Sequence, residues 1–285
     1  MAEMVRKIIQ LASTVVFNSY AAGFASGNIY RGNLKQVCVP FLNCYSCPGA
    51  ISSCPIGSLQ AVATGASYQF SFYVAGFLAL IGITSGRLAC GWLCPFGLIQ
   101  ELLSRIPSPK FLLPTWTRYL KYLVLAVFVL LLPAIATDFF GIGTPYFCKW
   151  LCPAGTLEAA IPLAIADQGI RGALGPLFTW RLIWLIAIIV FVIIVHRGFC
   201  SVFCPLGAFY SLFNRISFFS IRRQPHKCSN CGRCAEVCYL KLPGSQETNH
   251  PDCIRCLKCV NNCPNGAMNW EIQLTGKKEE EFFNA

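Results

Sequence analysis

Long apolar runs separated by short polar stretches set the pattern of this chain. Four of them, at about residues 8–25, 68–84, 119–136 and 177–195, approach the roughly 20 residues needed to cross the hydrocarbon of a bilayer. Each is predicted to be a transmembrane helix. The first is the weakest, because Asn18 and Ser19 interrupt it. Its place after MAEMVRK also fits a signal peptide, but a retained helix is the expectation. In the fourth, Arg181 lies close to Trp180 and Trp184, as an interfacial anchor does. After Gln224 the pattern turns polar and cysteine-rich, so residues 224–272 are expected to form a small separate domain. Residues 273–285, with the run GKKEEEFFNA, are expected to be a solvated tail.

Composition supports a membrane class. Of 285 residues, 55% are hydrophobic and 12% charged, where soluble domains carry about 25% charged residues. The net charge of +11 is explained by basic residues holding one membrane face and offsetting anionic cofactors. No basic helix interleaved with aromatics points to nucleic acid. Arg6, Lys7, Arg87, Arg105, Lys110, Arg118, Lys121, Arg197, Arg215, Arg222 and Arg223 all fall on one side of the expected helices. The opposite loops hold only Arg31, Lys35, Lys149 and Arg171. The positive-inside tendency then places both termini in the cytoplasm of a multi-pass inner-membrane protein.

Eighteen cysteines change the picture most. Residues 228–238 and 253–263 read CSNCGRCAEVC and CIRCLKCVNNC, the C-x2-C-x2-C-x3-C spacing of ferredoxins with two [4Fe–4S] clusters. In that arrangement three thiolates of one motif are completed by the last cysteine of the other. Cys228, Cys231, Cys234 and Cys263 are expected to bind one cluster, and Cys253, Cys256, Cys259 and Cys238 the second. Zinc favours paired rather than triple motifs. Tyr239 stands where proline commonly follows the last cysteine.

The apolar part carries its own thiols. Residues 87–106 and 197–216 repeat one pattern, with Arg87/Arg197, Cys90/Cys200, Cys94/Cys204, Pro95/Pro205, Gly97/Gly207 and Arg105/Arg215 in register. Cys-x3-Cys-Pro sets two thiols about one helical turn apart, with proline opening a helix whose N–H groups face them. Two such pairs suffice for one cluster, so Cys90, Cys94, Cys200 and Cys204 are expected to meet on the inner side. Buried thiols packing as small hydrophobes are the alternative. On the outer side lie Cys148 and Cys152, in a third Cys-x3-Cys-Pro, and Cys38, Cys44, Cys47 and Cys54. CPIGSLQAVA (54–63) aligns with CPAGTLEAAI (152–161), which suggests two parallel pseudo-repeats. The outer set supports at least one cluster on Cys148, Cys152 and two upstream thiols, with Cys44, Cys47 and Cys54 preferred. Disulfides are the competing reading.

Helix-end Cys-x3-Cys-Pro pairs followed by a two-cluster ferredoxin resemble the membrane polyferredoxins of the NapH/MauN type, with the C-terminal half of NosR and CcoG-like proteins related. The resemblance covers roughly residues 70–264. It implies a four-helix membrane protein exchanging electrons between a quinol pool or membrane partner and a redox enzyme; the outer cysteines depart from it. The fold expected is thus all-α in the membrane (residues 1–223), four helices with Cys-x3-Cys-Pro re-entrant segments, plus a ferredoxin-like α+β domain. Electron transfer between redox partners on one or both faces is the leading function, as a subunit of a larger redox complex. Quinol dehydrogenation, metal-ion or thiol reduction in enzyme assembly, and redox sensing are the alternatives. No dinucleotide fingerprint and no CxxCH haem motif is present. His196 is a candidate quinone contact, though a lone histidine at a helix end is usually structural. For Arg87, Arg197, Arg222 and Arg223 topological anchoring explains each one more simply than tuning of cluster potential. A cluster on each face leaves one difficulty, a hydrocarbon layer about 30 Å thick.

Overall fold

The computed structural model describes residues 2–64, 68–136, 144–172, 175–242 and 248–272. The expected tail lies outside them. The principal helices are α1 (Ala2–Phe17), α2 (Pro55–Ala63), α3 (Tyr68–Ser85), α4 (Leu88–Trp92), α5 (Pro95–Leu103), α6 (Thr115–Ile135), α7 (Pro153–Ala166), α8 (Pro176–Ile194), α9 (Gly198–Val202) and α10 (Pro205–Phe213). One antiparallel pair, β1 (Phe219–Arg223) and β2 (Met268–Ile272), closes the cysteine-rich domain. Its first strand starts upstream of the boundary expected at residue 224, because Phe219 pairs with Ile272 and Phe219 stacks on Trp270.

Among the described residues two helices, α6 and α8, are long and apolar enough to cross a membrane. Only 22% and 17% of their apolar windows are buried, the reverse of a core helix in a soluble protein. α1 makes the same point. Met4, Ile8, Leu11 and Val15 face outward, while Arg6, Gln10 and Ser13 on the other face are buried. A helix with its polar stripe inside and its apolar stripe outside is stable only where the outer medium is itself apolar. The protein is a membrane protein.

α1 differs from its expected extent of 8–25. It starts at Ala2 and stops at Phe17, because Asn18 turns its side chain back to the Thr14 carbonyl (3.0 Å) and Tyr20 donates to Gly49 O (3.1 Å). α6 contains a π-helical stretch at Leu125–Leu131 followed by Pro133, which removes an N–H from the helical ladder.

The cysteine-rich domain is docked, not tethered. Asn214, after α10, donates to the carbonyls of His250 (2.9 Å) and Cys253 (2.8 Å). Arg255 returns the contact to Ser85 O (3.0 Å) and Asn214 O (2.6 Å), and Trp92 Nε1 donates to Arg255 O (3.0 Å). At Gly91 an added Cβ would lie 2.3 Å from the Ile254 carbonyl, so only glycine lets the two backbones meet.

Candidate iron–sulfur centres

The local structure repeats four times. Cys54, Cys94, Cys152 and Cys204 are each the N-cap of a helix, with extended φ/ψ, and proline follows as the first helical residue. Two positions later comes a glycine, whose N–H reaches back to the cysteine sulfur, at 3.4 Å for Gly155 to Cys152 and Gly207 to Cys204. An anionic sulfur is stabilised at such a helix start by the free N–H groups and the positive end of the dipole.

On the inner side Cys90, Cys94, Cys200 and Cys204 come together. All four are buried, and Cys94 and Cys204 each lie within Coulombic reach of both Cys90 and Cys200. Two arginines cross between the repeats. Arg87 Nη2 donates to Cys200 O and Arg197 Nη1 to Cys90 O, both at 3.1 Å. Arg197 and Arg6 grip Glu101 (2.6 and 2.7 Å), and Arg87, Lys121 and Arg118 converge on Asp252. Arg87 and Arg197 are 1% and 0% exposed, so whatever their topological role their side chains are engaged by buried partners. Position along the chain did not reveal the buried carboxylates that hold them inside.

On the outer side Cys44, Cys54, Cys148 and Cys152 gather. Cys152 lies within Coulombic reach of the other three, and a Cβ at Gly155 would stand 3.8 Å from both the Cys44 and Cys152 sulfurs. Cys44 N–H donates to Glu158 Oε2 (2.9 Å). The remaining two thiols turn elsewhere. Cys47 faces Asn18 Oδ1 at 3.8 Å, and Cys38 faces the hydroxyls of Ser53 and Ser58. Lys35, buried, donates to Ala50 O and lies within Coulombic reach of Cys44 and Cys47.

A shared polar device escaped the sequence reading. Six residues after its Cys-Pro cysteine, Gln60 donates to Cys148 Sγ (3.1 Å) and accepts from Phe147 N–H (3.0 Å). Gln100, six residues after Cys94, donates to Cys200 Sγ (2.9 Å). The same offset gives Glu158 and Tyr210, so aligning four CPxG starts rather than two would have exposed it. Arg181, Trp180 and Trp184 were also missed in their main contacts: they donate to the carbonyls of Lys149, Trp150 and Leu151, tying α8 to the turn before Cys152.

In the docked domain Cys228, Cys231, Cys234 and Cys263 line one open pocket. Cys253, Cys256 and Cys259 lie within Coulombic reach of Cys238. Burial and the neighbouring thiols push Cys253 up to about 11 and Cys259 up to about 12. For Cys263 burial is outweighed by the backbone N–H groups of Met268, Ala267, Asn265 and Gly266, which draw the thiol below its ordinary value. Among the described residues no three His, Cys, Asp or Glu side chains close on a single ion. Sets of four thiols fit an iron–sulfur core in their donor chemistry. So does Asn43, fully buried with both carboxamide atoms unpartnered among the described residues.

A 4Fe-4S binding domain family matches residues 69–114, 123–161 and 177–224, three stretches that each hold one Cys-x3-Cys-Pro. The ferredoxin-type protein NapH of Escherichia coli is 25% identical over 225 residues, covering 73% of this chain and 71% of that one. MauN, a methylamine utilization ferredoxin-type protein of Methylorubrum extorquens, is 27% identical over 194 residues (65% and 59%). The chain is similar to the NapH/MauN-type polyferredoxins. It also aligns with the regulatory protein NosR of Stutzerimonas stutzeri, 28% identical over 199 residues, 61% of this chain and 24% of NosR. An uncharacterised protein of Methanocaldococcus jannaschii, MJ0750, is 29% identical over 198 residues (68% and 75%). No solved structure matches. The matched 4Fe-4S family and these ferredoxin-type relatives support iron–sulfur electron transfer by this chain.

Proposed function

We propose that this polyferredoxin relays electrons between its docked ferredoxin domain, on the cytoplasmic side, and a centre toward the opposite face, as a subunit of a larger redox complex in the inner membrane. Four [4Fe–4S] clusters are assigned: to Cys228/Cys231/Cys234/Cys263, to Cys253/Cys256/Cys259/Cys238, to Cys90/Cys94/Cys200/Cys204 and to Cys44/Cys54/Cys148/Cys152. Such clusters supply one-electron redox chemistry when bound. The chain's own part is to fix their order and surroundings. Asp252, beside Cys253, is bonded to Arg87, which also holds Cys200 O, so the second ferredoxin site and the inner site share one buried ion-pair network. The reciprocal crossing of Arg87 and Arg197 is the observation that carries the reading, because it brings the two membrane motifs into one site. Cys38 and Cys47 are left outside the four sets.

Low-temperature EPR of single variants tests the assignments. Cys200→Ser removes one signal from the inner site and Cys148→Ser a different one, each leaving the ferredoxin signals. Loss of the same signal in both variants contradicts separate sites.

A second reading, a quinol dehydrogenase subunit, is favoured by one feature. His196 Nε2 is buried and without a partner among the described residues, in a cavity lined by Phe111, Leu113, Cys238 and Tyr239. Its ring stacks on Tyr239 at 4.2 Å. Quinol-driven reduction that is lost in His196→Leu supports this reading over the first.

A further inference from the structure

The outer loop reaches the inner site. Val39, Phe41, Leu42 and Asn43 are all at most 2% exposed, so this segment runs through the core rather than over the surface. Tyr210, on the inner helix α10, donates its hydroxyl to Pro40 O at 3.2 Å. The next residues divide between the two thiol groups. The backbone N–H of Leu42 faces the Cys94 sulfur of the inner set, and that of Asn43 faces the Cys54 sulfur of the outer set. Adjacent residues are 3.8 Å apart at Cα, so with a hydrogen bond at each end the two sulfurs stand on the order of 10 Å apart. The Tyr210 hydroxyl lies within Coulombic reach of Cys90 and Cys94 on one side and of Cys54 and Cys38 on the other. Leu42, Cys54, Cys90, Cys94, Cys204 and Tyr210 all belong to one contiguous buried core.

We infer that the Leu42–Asn43 dipeptide, whose segment is clasped at Pro40 by Tyr210, is a bridge that couples the inner and outer thiol sets. It gives one N–H group to each and fixes the separation of whatever the two sets hold. The inference rests on the cluster assignments proposed above and goes beyond them in one respect: no further cofactor is needed between the two sites. The exchange it serves is one electron lost at one site and gained at the other, with no proton or group transferred. A gap of about 30 Å, the hydrocarbon thickness, is thereby replaced by one about a third as long. Asn43 adds a reason for its own identity. Its carboxamide, buried with no partner among the described residues, leaves a spare donor on the residue whose N–H faces Cys54.

The test uses the full chain, purified anaerobically in detergent, with iron counted on every sample. In the fully reduced protein the inner-site EPR signal is expected to relax fast and to be broadened by its neighbour. Cys148→Ser, which removes the outer site, should slow that relaxation and sharpen the signal. Inserting one glycine between Leu42 and Asn43 should weaken the interaction at unchanged iron content. Tyr210→Phe, which breaks only the clasp onto Pro40, should act in the same direction and stands in if the insertion costs iron. A full iron count with an inner signal indifferent to Cys148→Ser overturns the bridge and leaves the cluster assignments intact. Iron sufficient only for the ferredoxin domain overturns those assignments instead.

Discussion

Arg197 donates through Nη1 to the backbone carbonyl of Cys90 at 3.1 Å, and Glu101 holds the other edge of the same guanidinium. The crossing fixes two motifs more than a hundred residues apart in one frame, and Arg87 on Cys200 O repeats it. Glycine leaves room beside each crossing: a Cβ at Gly97 would lie 3.1 Å from Cys90 O, and one at Gly207 3.0 Å from Arg87 Nη2, both tighter than ordinary contact. Arg197→Gln strands part of a buried carboxylate, a change that costs about 3–5 kcal/mol when no partner remains. Arg6 remains on Glu101, so the lower end of that range is expected, read as a drop in melting temperature in detergent. Arg197→Lys should not rescue, because a single ammonium cannot serve the carbonyl and the carboxylate in the same planar geometry.

Gln60 and Gln100 should tune and hold their own sites. Each gives an N–H to a cysteine sulfur, and hydrogen bonds to sulfur are among the determinants of cluster potential. Gln60→Leu is expected to lower the potential of the outer site alone and Gln100→Leu that of the inner site alone. Retention of iron against a chelator should fall about 10–100-fold at the affected site, as for other residues that orient ligands. Redox titration followed by EPR reads both effects.

Docking of the ferredoxin domain should resist mild acid and fail in strong acid. Burial alone would raise Asp252, but Arg87 and Lys121 outweigh it and hold the carboxyl below its ordinary value. Glu3, which accepts from the Tyr239 hydroxyl at 2.7 Å, is lowered to about 2 by that bond, against burial and with help from Lys7 and Lys258. A carboxyl depressed in the folded state contributes stability above its unfolded value near 4.5, lost as pH falls toward the folded value. Fluorescence of Trp92, bonded to Arg255 O, should therefore stay flat from neutral pH to about 5 and change below about 4. A transition near pH 6 would point to histidine instead.

The proposed topology, with both termini cytoplasmic, rests on the distribution of basic residues and is open to a direct check. Alkaline phosphatase fused after Arg171 should be active and fused after Arg223 inactive; the opposite pattern reverses the orientation.

Much of the chemistry was legible in the chain because it is local. Cys-x3-Cys-Pro and the ferredoxin triplets state their spacing in consecutive residues, and proline after cysteine announces the helix start seen at Cys54, Cys94, Cys152 and Cys204. What was illegible depends on distant partners. Arg87 and Arg197 read as topological anchors only, because Glu101 and Asp252 could not be matched to them from sequence. Cys44 could not be separated from Cys47, since both sit on one short loop and only the approach of Cys152 and Asn18 distinguishes them. The first helix was drawn too far because its apolar face, turned outward, continues past the point where Asn18 ends the backbone ladder.

Iron and acid-labile sulfide per chain, measured on the intact protein purified anaerobically in detergent, test the central claim most directly. Four thiolate sets predict about sixteen of each. A value near eight, with all eighteen cysteines present, would mean that the membrane thiols hold no clusters and that only the docked ferredoxin domain carries electrons.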